Sequence, residues 1–166
     1  MLPVFVSRFW LRMIRRLPLT RFYGVKRLLM RIAGLAVARN VRVISSVNIV
    51  TPFVEIGENS FIGHECLLIA AHGSRIRIGR NVDFGPRCLI VTGTHDIGPA
   101  GHRAGDGQAH DIVIGDGVWV GAGSTILAGV TVGAGSVLAA GSVVAKNVEA
   151  NVLAGGNPAK VIRELE

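Results

Sequence analysis

The amino-acid sequence predicts an all-β fold, a solenoid of short strands, preceded by a basic amphipathic helical segment. Two observations carry this prediction. Aliphatic or aromatic residues recur at every sixth position over most of the chain, and ten of the 18 Lys and Arg residues fall within residues 1–54, which contain no Asp or Glu. With 166 residues, 49% of them hydrophobic, the chain is expected to form one folding unit with its own core.

The first element is a basic arm, residues 1–40. Its arginines are interspersed with large apolar side chains, and those at positions 8, 12, 15 and 16 recur at helical spacing, which predicts an amphipathic helix. Residues 1–54 carry a net charge of +10, whereas residues 55–166 carry 8 − 11 = −3. The overall charge of +7 therefore comes from the N-terminal third.

Three roles are open for the arm. It could cap the hydrophobic end of the solenoid, cap it and also attract an anionic membrane surface, or bind nucleic acid. We expect one of the first two and no nucleic-acid partner. Arginines interrupt the arm too often for a transmembrane span, and the order of a signal peptide is missing. The protein is therefore expected to be cytoplasmic, and peripheral at the inner face of the membrane if the arm binds there.

The second element, residues 41–153, carries the six-residue repeat. The position after each repeated apolar residue is usually Gly or Ala, and glycine is expected there to relieve backbone strain in a turn. A helix would drift out of phase with a period of six, whereas short strands separated by turns keep it in phase. The repeated apolar residues are Ile56, Ile62, Leu68, Ile78, Phe84, Ile90, Ile114, Val120, Ile126, Val132, Leu138 and Val144.

An uncharged run from Gly117 to Ala145 is long enough to cross a bilayer, which gives a competing interpretation of this region. Seven glycines fall within the run among β-branched residues. Such a composition would destabilise a helix and suits tight turns between short strands, so we reject the membrane span.

Two interruptions of the repeat are informative. Leu68 and Ile78 are ten residues apart, four more than the repeat requires, and Ile90 and Ile114 are 24 apart, eighteen more. The second excess predicts an external loop at about residues 96–111, and a long loop on a rigid solenoid is a common place for function. Residues 154–166 are expected to form a C-terminal tail.

The two cysteines, Cys66 and Cys88, occupy the small inward position of the repeat and form no C-x-x-C pair. We interpret them as reduced, buried thiols that pack the core, not as nucleophiles. The histidines show no zinc-like spacing, so no metal is expected to be required.

Three further motifs support a family resemblance over roughly residues 54–165. They are Thr92-Gly93-Thr94-His95 before the loop, Ile114-Gly115-Asp116-Gly117-Val118-Trp119-Val120-Gly121 after it, and Gly156-Asn157-Pro158-Ala159-Lys160-Val161-Ile162-Arg163 near the end. With the repeats, the chain resembles the hexapeptide-repeat acyltransferases, and among them the sugar O-acetyltransferases of the galactoside and nodulation acetyltransferase type. The resemblance implies a left-handed parallel β-helix with three hexapeptides per coil, and a homotrimer with active sites between neighbouring subunits.

His95 is the candidate catalytic residue. Acyl transfer from a thioester to a hydroxyl needs a base for the hydroxyl proton, and an imidazole with an ordinary pKa near 6.5 suits neutral pH. His95 matches the catalytic histidine of the family that the chain resembles. The resemblance implies direct transfer by His95, without an acyl-enzyme.

The acceptor and the coenzyme are assigned through the resemblance. His64 and Glu65 lie where related enzymes present a polar group to the acceptor, often Asn, so this chain departs from that pattern; His102 in the loop could also line the acceptor site. Acetyl-coenzyme A is the implied donor. Its implied contacts are Trp119, Ala122, Ala140, Ala145, Lys146, Lys160 and Arg163, in which small residues admit the pantetheine arm and cations meet the phosphates.

The predicted function is acetyl transfer to a hydroxyl of a sugar or glycan. The basic arm favours a surface polysaccharide or a lipid-linked precursor as acceptor. Three alternatives remain open: a non-catalytic β-helix scaffold or membrane-associated binding module, an acyltransferase that acts on a non-sugar acceptor, and a zinc carbonic anhydrase built on the same solenoid.

Overall fold

The computed structural model describes residues 4–166, so the first three residues of the arm lie outside the description. The described part of the arm contains two helices, α1 Val4–Ile14 and α2 Tyr23–Ile32. The amphipathic helical segment is therefore present, as two helices instead of one. No helix within residues 4–166 has the length and apolar character needed to cross a membrane.

Most of the remaining chain forms three parallel sheets that the chain visits in turn. The first sheet contains β1 Ala36–Val37, β4 Val54–Ile56, β7 Ile76–Ile78, β12 Ile112–Ile114 and β15 Thr131–Val132. The second contains β2 Arg42–Val43, β5 Phe61–Ile62, β8 Asp83–Phe84, β13 Trp119–Val120, β16 Val137–Leu138 and β18 Val152–Gly156. The third contains β3 Asn48–Ile49, β6 Leu67–Ile69, β9 Leu89–Val91, β14 Thr125–Ile126 and β17 Val143–Val144.

Strand register shows the length of one coil. Val113 pairs with Thr131, so the chain returns to the same place in the first sheet after 131 − 113 = 18 residues, or three repeats. The preceding returns are longer: Glu55 pairs with Arg77 after 77 − 55 = 22 residues, and Arg77 pairs with Val113 after 113 − 77 = 36. These excesses of four and eighteen residues confirm both interruptions of the repeat.

The repeated apolar residues point into the core that the sheets enclose. Ile62, Val120 and Leu138, from three coils of the second sheet, are fully buried. Full burial of one such side chain contributes about 1.5–3 kcal/mol. A first coil carries the same spacing at Val37 and Val43, so solenoid strands begin at Ala36, within the segment assigned to the arm.

Small residues occupy the inward corners because their side chains reach the backbone of the neighbouring coil. The Ser60 hydroxyl donates to the Gly79 carbonyl (2.8 Å), and the Cys66 thiol donates to that of Gly85 (3.1 Å). These bonds satisfy buried carbonyl groups, whose desolvation would otherwise be costly.

Glycine after the repeated apolar residue is required for a different reason from the expected one. A Cβ on Gly121 would lie 2.5 Å from the Ala140 amide nitrogen, so the close approach of the next coil excludes a side chain there. Left-handed backbone occurs instead at the turns, as at Gly117 (φ 71°) and at Asn59 (φ 61°).

Two antiparallel pairs interrupt this pattern. The predicted external loop is a ribbon, in which β10 Gly93–Ile97 pairs with β11 Ala104–Ala109. The C-terminal tail adds β19 Ala159–Glu164, antiparallel to β18, at the edge of the second sheet.

Candidate active site

The ribbon leaves the solenoid from a fixed base at Thr92. The Thr92 hydroxyl oxygen is buried, accepts the Ala71 amide N–H (2.7 Å) and lies 2.6 Å from the Ser74 hydroxyl, while the Thr92 carbonyl accepts the amide N–H of His110 (2.9 Å). The chain is therefore held at the point where the ribbon starts and at the point where it returns.

His95 lies on β10 directly opposite Gly107 of β11. Cδ2 and Nε2 of His95 are 4.0 Å from the place that a Gly107 Cβ would occupy, so the imidazole lies beside β11. His95 is exposed, and no group of residues 4–166 forms a hydrogen bond with its ring nitrogens. The ring is thus available to an external hydroxyl.

A groove of about 610 Å³ lies at the corner between the second and third sheets. The corner turns of three successive coils stack there, since the Arg87 amide donates to the His64 carbonyl (2.7 Å) and the Gly123 amide to that of Pro86 (2.8 Å). The groove brings together the predicted acceptor residues and one predicted coenzyme residue. Its lining is His64, Glu65, Pro86, Arg87, Ala122 and Gly123.

The predicted coenzyme residues fall into two groups. Ala122 lies in the groove, Ala140 is in the next coil at the same corner, and Trp119, 57% exposed, is on the outer face of the adjacent second sheet. Ala145 and Lys146 follow β17, beyond the far end of the third sheet, and Lys160 and Arg163 lie exposed on β19.

The ribbon leaves the solenoid at one corner, and the groove lies at another corner of the same chain. Thr92 and the ribbon follow β9 at the end of the third sheet, whereas the groove lies where the second sheet turns into the third. His102, in the exposed turn of the ribbon, donates its amide N–H to the Pro99 carbonyl (2.9 Å) and does not line the groove. Within one chain, His95 and His102 therefore lie apart from His64, Glu65 and Ala122.

Arg87 was missed by sequence reasoning. Its Nε lies 2.8 Å from Oε2 of Glu65 in the groove, so this carboxylate is paired with a cation from the next coil. The only signal for this pair is the spacing of 87 − 65 = 22 residues, the length of that coil, which follows from the interruption of the repeat.

A second missed feature is a cavity of about 370 Å³ beside the four-residue insertion. Asp111 lies where the ribbon returns, and accepts the Arg75 amide N–H (2.8 Å) and Nη1 of Arg77 (2.7 Å). The Arg75 amide, followed by the Arg77 guanidinium, lowers the pKa of Asp111. The insertion thereby fastens the second end of the ribbon.

The two cysteines are buried. A hydrogen bond with Cys88, followed by burial, raises the pKa of the Cys66 thiol, which keeps it protonated and unsuited to nucleophilic attack. Within residues 4–166, no three His, Cys, Asp or Glu side chains are grouped so that they could hold a metal ion.

Three parallel sheets around one core, an 18-residue coil and a histidine-bearing ribbon are typical of a hexapeptide-repeat transferase. The family model "Bacterial transferase hexapeptide (six repeats)" matches residues 111–146. WcaF of Escherichia coli K12, whose name assigns it to colanic acid biosynthesis as an acetyltransferase, is 33% identical over 143 residues, or 86% of this chain and 76% of WcaF. The chain belongs to the hexapeptide-repeat transferase family, as its resemblance predicted.

Solved structures agree with this assignment. A maltose O-acetyltransferase from Clostridium difficile 630 superimposes with a TM-score of 0.84 at 30% identity, covering 97% of this chain and 85% of that one. A hexapeptide-repeat acetyltransferase from Vibrio cholerae O1 biovar eltor, in complex with acetyl-coenzyme A, gives 0.79 at 27% identity, covering 97% and 88%. The chain spans little more than half the length of the first curated relatives it matches, 54–58%.

Proposed function

We propose that this protein is an acetyl-CoA-dependent O-acetyltransferase that transfers an acetyl group directly to a hydroxyl of a sugar or glycan. The observation that carries the proposal is His95, an exposed imidazole on a ribbon that is fastened at both ends to a hexapeptide-repeat solenoid. A non-catalytic scaffold has no need of such a group.

In the proposed mechanism, His95 acts as general base. Its unprotonated ring nitrogen takes the proton of the acceptor hydroxyl as the oxygen attacks the thioester carbonyl carbon. The carbon–sulfur bond then breaks, the coenzyme leaves as a thiolate, and the proton held on His95 returns to the sulfur. The reaction forms one ester and one thiol, and no group of the protein is acylated.

The coenzyme would lie along the solenoid. Ala122 and Ala140 present small side chains at one corner, which leaves room for a pantetheine chain, and Trp119 offers an exposed ring beside them. Lys146, Lys160 and Arg163 are exposed cations suited to its phosphates, with Ala145 beside Lys146. The Vibrio cholerae structure with acetyl-coenzyme A supports this choice of donor.

We further propose that the working form is a homotrimer of left-handed parallel β-helices. The ribbon and the groove leave different corners of one chain, so the ribbon of one subunit can face the groove of the next. Ile97 on the ribbon, 88% exposed, and Ile162 on β19, 60% exposed, are apolar groups that a neighbouring subunit would cover.

For the acceptor, we propose a surface polysaccharide or its lipid-linked precursor. The arm is the supporting feature, because its cations would draw a cytoplasmic enzyme to the inner, anionic face of the membrane. His64, Glu65 and His102 would contact the sugar, with Glu65 held in place by Arg87.

The test is an acetyl-transfer assay of purified protein with acetyl-CoA and a panel of sugars, amino acids and amines, with release of the coenzyme thiol as readout. We expect thiol release that depends on a sugar and an ester on its hydroxyl. Transfer only to amines or amino acids would overturn the choice of acceptor. Stoichiometric zinc with carbon dioxide hydration and no transfer would instead indicate a carbonic anhydrase.

A further inference from the structure

Charge is handled differently in α1 and in the solenoid. Every ion pair within residues 4–166 joins side chains of residues 39–116, as Arg80 does with Asp116 from the next coil (2.8 Å). No arginine of α1 has a carboxylate partner among the described residues. These guanidinium groups are left for water or for a ligand.

Arg8 and Arg12 of α1, together with Arg15 just beyond its end, line a cleft of about 310 Å³ between α1 and β3. Arg8 and Arg12 are one turn apart on α1, and Arg15 follows in the turn after Ile14, where its amide N–H donates to the Arg12 carbonyl (3.2 Å). Arg8 Nε donates to the Val50 carbonyl (3.3 Å), which fixes the first of the three against the solenoid. The full lining is Arg8, Leu11, Arg12, Arg15, Val47, Asn48, Ile49 and Val50, with no acidic side chain.

The chemistry of the lining selects an anion with several oxygen atoms. Guanidinium groups bind phosphate oxygens through paired N–H donors, and the Asn48 amide adds a further donor at the cleft. We propose that this cleft binds a phosphate monoester or diester group, with Arg12 and Arg15 as the principal ligands and Arg8 as the fixed third cation.

Two aromatic side chains suggest where such a phosphate comes from. Phe5 and Phe9 are one helical turn apart on α1, 75% and 58% exposed, and Phe9 directly follows Arg8. Exposed aromatic rings beside a row of arginines are suited to the boundary between lipid headgroups and acyl chains. A phospholipid headgroup and a free phosphate share the same recognition chemistry, so the experiment separates these sources.

The experiment compares two variants that lose the same charge from the arm. Arg12→Gln/Arg15→Gln removes the principal ligands, whereas Arg16→Gln/Arg21→Gln removes two exposed arginines that do not line the cleft. Each is titrated with inorganic phosphate, followed by ³¹P NMR, and with vesicles of phosphatidylglycerol or phosphatidylcholine. We expect the first variant to lose about 10- to 100-fold in phosphate affinity, and the second less than about threefold.

A third variant, Phe5→Ser/Phe9→Ser, identifies the source. Loss of phosphatidylglycerol vesicle binding with retained phosphate affinity indicates a lipid headgroup, whereas phosphate binding by the wild type without binding to these vesicles indicates a soluble phosphate. Equal affinities of the two arginine variants for phosphate, or no phosphate binding by the wild type, would overturn the proposal that the cleft binds phosphate. This inference rests on the proposed membrane contact. Its experiments measure binding and not catalysis, so a negative result would not affect the proposal of acetyl transfer.

Discussion

Helix α1 and the solenoid place their charges in opposite ways. In the solenoid, arginines and carboxylates from neighbouring coils pair along the stack, as Arg77 does with Asp111 (2.7 Å). In α1, arginines stand beside exposed phenylalanines without acidic partners in the described chain. We propose on this basis that the solenoid holds the reacting groups and that α1 meets an external anion.

The largest expected effects distinguish residues needed for acetyl transfer from residues needed for attachment to an anionic membrane. His95→Ala should lower acetyl transfer by about 10²- to 10⁴-fold, the usual loss for a general base, with coenzyme binding unchanged. The four-arginine variant, with Arg8, Arg12, Arg15 and Arg16 changed to Gln, should keep activity on a soluble sugar and sediment less with anionic liposomes at low salt.

Steady-state transfer rates and co-sedimentation of the two proteins measure this separation. Comparable activity of His95→Ala and wild type would contradict the role of His95 as general base. Equal sedimentation of the four-arginine variant and wild type, at low and high salt, would show that the arm caps the solenoid and does not attract an anionic membrane.

A second contrast concerns packing. Phe84 is 1% exposed inside the coils, whereas Phe9 is 58% exposed on α1. Phe84→Ala should destabilise the protein by about 3–5 kcal/mol because it leaves a cavity, and Phe9→Ala should change stability by less than about 0.5 kcal/mol. Urea unfolding of both variants measures the difference; a cost for Phe9→Ala close to that for Phe84→Ala would show that its ring is covered.

The smallest expected effect concerns how the arm is held to the solenoid. Lys26 of α2 is buried, donates from Nζ to the carbonyls of Leu19 (2.6 Å) and Val43 (3.2 Å), and faces the Tyr23 ring. Burial lowers the pKa of Lys26. The folded state therefore releases this proton before the unfolded state does, and stability should rise with pH from the folded pKa up to the ordinary value near 10.5.

Trp10 fluorescence in a Trp119→Phe background reports on arm docking, because Trp10 packs against the core. The denaturant midpoint should rise as the pH increases toward 10.5, and Lys26→Met should abolish that rise. A rise that persists in Lys26→Met would assign it to another group.

The sequence predicts the solenoid well because equivalent positions of successive repeats have the same local environment, so the same residue types recur there. The apolar positions and both interruptions follow from a period of six, whereas the tight coil contact at Gly121 is visible only in the structure. The first coil, at Val37 and Val43, was harder to recognise because it shares its residues with the basic region.

The candidate site is less predictable from sequence. The ribbon strand Ala104–Ala109 has no alternation of apolar residues, because both of its faces are largely exposed. Pairing of Glu65 with Arg87 depends on which coil lies above which. Motif reasoning could single out His95 and Ala122, but their separation on different corners of one chain is visible only in three dimensions.

The central claim, a site shared between subunits, is tested most directly by complementation. His95→Ala and Ala122→Trp, the second designed to fill the groove, would be co-expressed with different tags, and mixed trimers purified through both. Each mixed trimer, whichever variant it contains twice, combines an intact ribbon with an intact groove at one of its three sites, so we expect about a third of wild-type activity, although each variant alone is nearly inactive. Mixed trimers as inactive as the two parents would contradict a shared site and place His95 and its groove within one chain.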